Sequence, residues 1–108
     1  MDLEFQDFSI SGLLKAADAL WQTKAQEKGL SFAIQNQITA HDFVRSDRGR
    51  LRQIIFNLIG NAIKFTADGG VELRATQSVQ KDKRITLRFE VRDTGIGLTK
   101  EQMAKLFK

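Results

Sequence analysis

Hydrophobic and polar positions follow two periods along this chain, and the switches between them mark its elements. Over residues 3–8, Leu3, Phe5 and Asp7 fall on one side of an extended chain and Glu4, Gln6 and Phe8 on the other, which predicts a short edge strand. The period then lengthens. Ile10, Leu13, Leu14, Ala17, Leu20, Trp21 and Ala25 share one helical face, with Ser9 or Ser11 as cap and Gly29 as the stop, so a helix is predicted over 11–28. Leu30, Phe32 and Ile34 alternate with Ser31, Ala33 and Gln35 as a strand over 30–36. Residues 36–42 read as polar loop and Phe43-Val44-Arg45 as a short strand. Val71, Leu73 and Ala75 alternate with Glu72, Arg74 and Thr76. Ile85, Leu87, Phe89 and Val91 alternate with Thr86, Arg88, Glu90 and Arg92. The two runs flank a charged loop over 78–83 and predict an antiparallel hairpin. Thr99 with Gln102 three residues on is a capping-box pattern, predicting a last helix that carries Met103, Leu106 and Phe107.

The stretch Asp47–Thr66 stands apart. It reads as one helix of about five turns, opened by Ser46 or Asp47 and closed by the turn Asp68-Gly69-Gly70. Leu51, Ile54, Ile55, Leu58, Ala62 and Phe65 recur at three- and four-residue spacing and predict its buried face. Arg50, Gln53, Asn57, Gly60, Asn61 and Lys64 occupy roughly a third of the circumference on the other side. A solvated helix face ordinarily mixes Glu with Lys in pairs four apart. Here no acid occurs between Arg48 and Ala67, and two Asn sit in the interior against their propensity. Carboxamide oxygens are hard ligands suited to Mg²⁺, and a lysine one turn on is a point charge for phosphate.

The 108 residues suit one domain spanning 1–108, with 42% hydrophobic and 28% charged residues, the balance of an ordinary globular chain. The absence of cysteine rules out disulfides, thiolate metal sites and a thiol nucleophile, and a single histidine, His41, rules out a multi-histidine metal site. No apolar run approaches membrane-spanning length, and the opening Met-Asp-Leu-Glu-Phe lacks a signal-peptide pattern, so a cytoplasmic setting with no membrane contact by this segment is expected. The net charge of +4 suits an anionic partner. Nucleic acid is not the expected one: Arg45, Arg48, Arg50 and Arg52 cluster at one helix start without an interleaved aromatic platform.

The last clean strand runs into Asp93-Thr94-Gly95-Ile96-Gly97-Leu98. A carboxylate held at a strand end can accept a hydrogen bond from an exocyclic amine, and two glycines let backbone approach a flat ring without Cβ clashes. Adenine offers that amine, whereas guanine presents a carbonyl oxygen that a carboxylate repels.

The order of these motifs closely resembles the ATP-binding catalytic domain of bacterial sensor histidine kinases, in the superfamily shared with gyrase and Hsp90. Asn57-Leu58-Ile59-Gly60-Asn61-Ala62-Ile63-Lys64-Phe65-Thr66 looks like the family's N box, Asp93-Thr94-Gly95-Ile96-Gly97 like its first glycine box, and Met103-Ala104-Lys105-Leu106-Phe107 like the start of its F box. The Ala25-x-x-Lys28-Gly29-Leu30 turn and Ser46-Asp47 are similar as well. The resemblance implies an α/β (α+β) two-layer sandwich, helices on one face of a mixed β-sheet, C-terminally incomplete. It implies ATP and Mg²⁺ as cofactors and transfer of the γ-phosphoryl group to a histidine on a separate dimerisation domain, as a protein histidine kinase. A response regulator receiver domain is then the downstream partner. Asn61 would be the Mg²⁺ ligand, Asn57 would stand near the phosphates, and Lys64 would contact phosphate. Asp93 would accept from the adenine amine, with Gly95, Ile96 and Gly97 shaping the pocket. An amide at Asn57, where gyrase-like relatives carry a water-activating Glu, cannot serve as a base.

Two departures accompany the resemblance. The family's ATP lid, second glycine box and later elements have no counterpart in these residues, so the chain reads as the N-terminal two-thirds of the domain, inactive by itself. His41-Asp42 does not match the family's His-Glu phosphoacceptor context. The alternative reading is a nucleotide-binding or protein-interaction module that keeps the fold without turnover.

Overall fold

The structure, a computed structural model, describes residues 4–93 in full and the backbone course of residues 99–107. The elements are β1 (Gln6–Ser9), α1 (Ile10–Glu27), β2 (Ser31–Asn36), β3 (Phe43–Ser46), α2 (Arg48–Phe65), β4 (Gly70–Val79), β5 (Arg84–Asp93) and β6 (Thr99–Phe107). They build one mixed sheet in the order β1-β3-β6-β5-β4-β2. β2 and β4 run parallel, Ser31 opposite Gly70 through Asn36 opposite Ala75, and the other pairs are antiparallel.

Period-two patterning decides which face of the sheet is covered. Val71, Leu73 and Ala75 on β4 and Ile85, Leu87, Phe89 and Val91 on β5 are all buried. The side chains between them, Glu72, Arg74, Arg88, Glu90 and Arg92, form ion pairs on the opposite face, where Glu90 lies within 3.8 Å of Arg74, Arg88 and Arg92. Ile10, Leu13, Leu14, Ala17 and Ala25 of α1 and Leu51, Ile55, Ile59 and Ile63 of α2 close the core from the apolar side. The result is the expected two-layer α/β sandwich, helices on one face of a mixed sheet.

Helix ends are fixed by specific partners. Ser9 is the N-cap of α1, its hydroxyl accepting from the Gly12 N–H at 3.0 Å. Gly29, at φ +75°, ends the helix in a Schellman turn. Leu30 N–H donates to Ala25 O at 2.9 Å and Gly29 N–H to Gln26 O at 3.0 Å. Asp47 caps α2, accepting from the Arg50 N–H at 3.1 Å.

The first turn of α1 contains no acid; its anion arrives from the loop before β3. Asp42 accepts from the Ser11 N–H at 2.8 Å and from the hydroxyls of Ser9 at 2.6 Å and Ser11 at 3.1 Å. Burial pushes the Asp42 carboxyl up. The hydrogen bonds from Ser9 and Ser11, with the charge of Lys15, outweigh that and hold it below its ordinary value of 3.8. A depressed carboxyl contributes stability that is complete above the unfolded value and is lost as pH falls through the folded one. Stability is therefore expected to drop on acidification below pH 3.8, and Asp42→Ala to cost about 2 kcal/mol at neutral pH. Urea unfolding of both forms across the acid range checks both; a variant as stable and as acid-sensitive as the parent contradicts them.

Three expectations need correction. The helix expected from Thr99, carrying the F-box-like Met103–Phe107, is instead β6. It pairs antiparallel with β5, Arg92 opposite Thr99 through Arg84 opposite Phe107, and meets β3 at Arg45 opposite Phe107. Its helix-favouring composition yields to ladder satisfaction: one extended segment fills the gap between β3 and β5 and pairs backbone groups on both edges. The buried stripe of α2 is Leu51-Ile55-Ile59-Ile63, turned by about 70° from the expected face. Ile54, Leu58 and Ala62 are only half-buried, and Phe65 is exposed. Leu20, expected on the buried face of α1, is exposed as well.

Candidate functional site

The strand parity that buries Ile85, Leu87, Phe89 and Val91 also directs Asp93 toward the helices, as the last inward position of β5. Asp93 is 6% exposed. Its Oδ2 accepts from the Thr66 hydroxyl at 2.5 Å. Thr66 is the C-cap of α2 and 1% exposed; its N–H donates to Ala62 O at 3.0 Å and its Oγ1 lies 2.7 Å from the same oxygen. A strand-end carboxylate and the end of the polar-striped helix are thus joined by one side chain.

Asn57, Asn61 and Lys64 are all exposed. Their spacing puts them within about 60° of one another, over some 10 Å of helix. The buried stripe of α2 is centred on the side diametrically opposite Asn57. Rotating the apolar face therefore moves it away from the amides and leaves their stripe fully outward. Gly60, at the edge of that stripe nearer the core, lies under Trp21: a Cβ there would come within 3.1 Å of the indole ring. Trp21 packs edge-on against Phe56 with centroids 5.8 Å apart, and the Arg52 guanidinium covers Phe56 at 4.1 Å. The gap at Gly60 thus serves contact between α1 and α2.

The C-terminus of α2 has a second partner. The Lys28 ammonium, at the end of α1, donates to the carbonyls of Ile63 at 2.6 Å and Lys64 at 2.8 Å. Those carbonyls are among the four that a helix end leaves unpaired, and a cation there also faces the negative end of the dipole. Lys28→Met is expected to lower stability by about 1 kcal/mol. Hydrogen exchange should quicken at the last turn of α2 before the rest of the helix; uniform protection across α2 in the variant contradicts this role.

Of the residues singled out in the sequence, Asn57, Asn61 and Lys64 share one exposed stripe, and Asp93 joins the end of that helix through Thr66. Gly95, Ile96 and Gly97 lie outside the described residues. His41 is held to β4 by Gln77, whose amide accepts from the His41 N–H at 3.2 Å and donates to its carbonyl at 2.7 Å. Lys28 and Asp42 are contributions that sequence patterns did not reveal. A cavity of about 540 Å³ beside the β4–β5 turn is lined by Gln80, Lys81, Asp82, Arg84 and Thr86. It is an open surface hollow, and none of its described lining residues is buried. Among the described residues no group of three or more His, Cys, Asp or Glu side chains could hold a metal, and no helix is long and apolar enough to cross a membrane.

The structure thus has a buried strand-end carboxylate locked to a helix with an outward amide and lysine stripe, within a two-layer α/β sandwich. Residues 46–108, more than half of the chain, match the histidine kinase-, DNA gyrase B-, and HSP90-like ATPase family, and the chain belongs to that family. Sensory proteins are among its similar relatives. It is 37% identical over 107 residues to the aerobic respiration control sensor protein ArcB of Escherichia coli, covering 99% of this chain and 13% of ArcB. It is 35% identical to the sensory/regulatory protein RpfC of Xanthomonas campestris pv. campestris, covering 98% of this chain and 15% of RpfC. The chain therefore spans less than a sixth of the length of these relatives. Full-length ShkA in complex with AMPPNP matches with a TM-score of 0.73 and 40% identity over 88% of this chain and 19% of ShkA. Histidine kinase ThkA in complex with the response regulator TrrA shares the fold, with a TM-score of 0.66 at 22% identity over 83% of this chain and 26% of ThkA.

Proposed function

We propose that these residues hold Mg·ATP within a sensor histidine kinase, whose γ-phosphoryl group passes to a histidine on a separate dimerisation domain and then to a receiver domain. The observation that carries the reading is the junction of Asp93 with the end of α2 through Thr66. It joins an amine-accepting carboxylate to the C-terminal end of the helix that carries Asn57, Asn61 and Lys64. Asp93 accepts from the adenine 6-amino group, with Gly95, Ile96 and Gly97 completing the base pocket. Asn61 offers Mg²⁺ one carboxamide oxygen. Mg²⁺ bound there would supply charge neutralisation of the triphosphate, with Asn61 as the residue that would hold it. Lys64 balances phosphate charge. Asn57 has no proton-accepting group, so it positions phosphate without activating water, which favours transfer over hydrolysis.

Phosphoryl transfer depends on positioning and charge around the γ-phosphate. Asn57, Asn61 and Lys64 supply one wall of that site. With the acceptor histidine on a separate dimerisation domain, no transfer of phosphate to these residues themselves is expected. The setting is the cytoplasm, where ATP and receiver domains are found, whether or not the parent kinase is membrane-anchored.

Equilibrium titration with ATP and Mg²⁺, set beside duplex DNA at low and high salt, tests the proposal. Saturable, magnesium-dependent ATP binding with only salt-labile DNA association supports it. Salt-resistant DNA binding without nucleotide binding overturns it.

A further inference from the structure

We infer that Thr66 is the positioning residue that sets adenine selectivity, by holding the Asp93 carboxylate in the rotation that faces the 6-amino group. The inference rests on the adenine reading of Asp93 given above and adds to it the group that orients that carboxylate.

Thr66 is almost completely buried, and its hydroxyl touches two acceptors, Asp93 Oδ2 at 2.5 Å and Ala62 O at 2.7 Å. A threonine hydroxyl has one hydrogen to give. Ala62 O already receives the Thr66 N–H at 3.0 Å. The carboxylate is the stronger acceptor of the two, so the hydrogen goes to it. The hydroxyl itself cannot drift. Its Cβ is branched, with few rotamers, and its backbone closes the last turn of α2 as the C-cap. One oxygen of Asp93 is therefore pinned to the helix end, and the plane of the carboxylate, with the direction of its other oxygen, is set with it. A carboxylate free to rotate would meet an amine in many orientations; one held by a buried donor meets it in one. The same bond ties the base-recognising group to the helix that carries Asn61 and Lys64, so the adenine and phosphate subsites keep a fixed separation.

The test compares two ligands on four forms of the chain. ADP carries the 6-amino group, and the diphosphate of purine riboside lacks it but is otherwise the same. Titration calorimetry of the parent chain, Thr66→Val, Thr66→Ala and Thr66→Ser gives the ratio of the two affinities, with thermal unfolding of each form alongside. The parent should favour ADP. Thr66→Val and Thr66→Ala should lose about tenfold in ADP affinity and less than about twofold for the analogue, collapsing the ratio, and Thr66→Ser should restore it. Two hydroxyl-free variants of different volume guard against one of them failing to fold. If they keep the parent's ratio, or lose both ligands equally, Thr66 does not orient Asp93. If the parent itself shows no preference for ADP, the adenine reading of Asp93 fails, and the role of Thr66 with it.

Discussion

Asp93→Asn is expected to reduce ADP affinity at least about tenfold while leaving weak GDP binding unchanged. Asp93 is buried and accepts a 2.5 Å hydrogen bond from Thr66. An amide has two ways to occupy that place. With its oxygen toward Thr66, its NH₂ faces the adenine amine, donor against donor. With its NH₂ toward Thr66, donor meets donor unless the hydroxyl turns its one hydrogen to the Ala62 carbonyl. Either way the charge that strengthens the bond to the amine is gone. A site built around a buried polar partner discriminates strongly when that partner is wrong. Fluorescence or calorimetric titration measures the effect, and unchanged ADP affinity in the variant contradicts the assignment of Asp93.

The second large effect is expected at Asn61, and it should depend on the metal. Asn61 is exposed on α2 between Asn57 and Lys64, so its amide contributes little to the fold. Asn61→Ala removes the carboxamide oxygen while favouring the helix by a few tenths of a kcal/mol. Affinity for ATP in the presence of Mg²⁺ should fall about tenfold or more, affinity for adenosine without metal should hold, and thermal stability should hold or rise slightly. Parallel titrations with the two ligands separate the cases. Equal losses for both would make Asn61 a structural residue.

Much of this was legible in the sequence because the signals were local. The alternation from Ile85 to Val91 extends by parity to Asp93, so its inward direction follows from strand geometry alone. The stripe of Asn57, Asn61 and Lys64 follows from helical spacing in the same way. What the sequence hid depends on partners distant along the chain. Lys28 bonds carbonyls 35 and 36 residues away, and Asp42 serves a helix start 31 residues earlier; neither type of residue announces a long-range partner. Thr66 stands at the end of the N-box-like run, but its bond to Asp93 appears only once α2 lies across β5. The buried face of α2 is not legible in the sequence because Ile54, Leu58 and Phe65 are as apolar as Ile59 and Ile63. Composition cannot say which apolar ridge meets the sheet, and packing against β4, β5 and α1 decides it. Residues 99–107 carry helix-favouring side chains, and their pairing with β5 overrides that preference.

The most direct measurement is a chemical-shift titration of the ¹⁵N-labelled chain with ADP and Mg²⁺, repeated with GDP. ADP is expected to shift amides along Asn57–Thr66 and at Asp93, with saturation, and GDP at the same concentration to leave them in place. Shifts centred instead on the hollow at Gln80–Thr86, or an equal response to ADP and GDP, would contradict this.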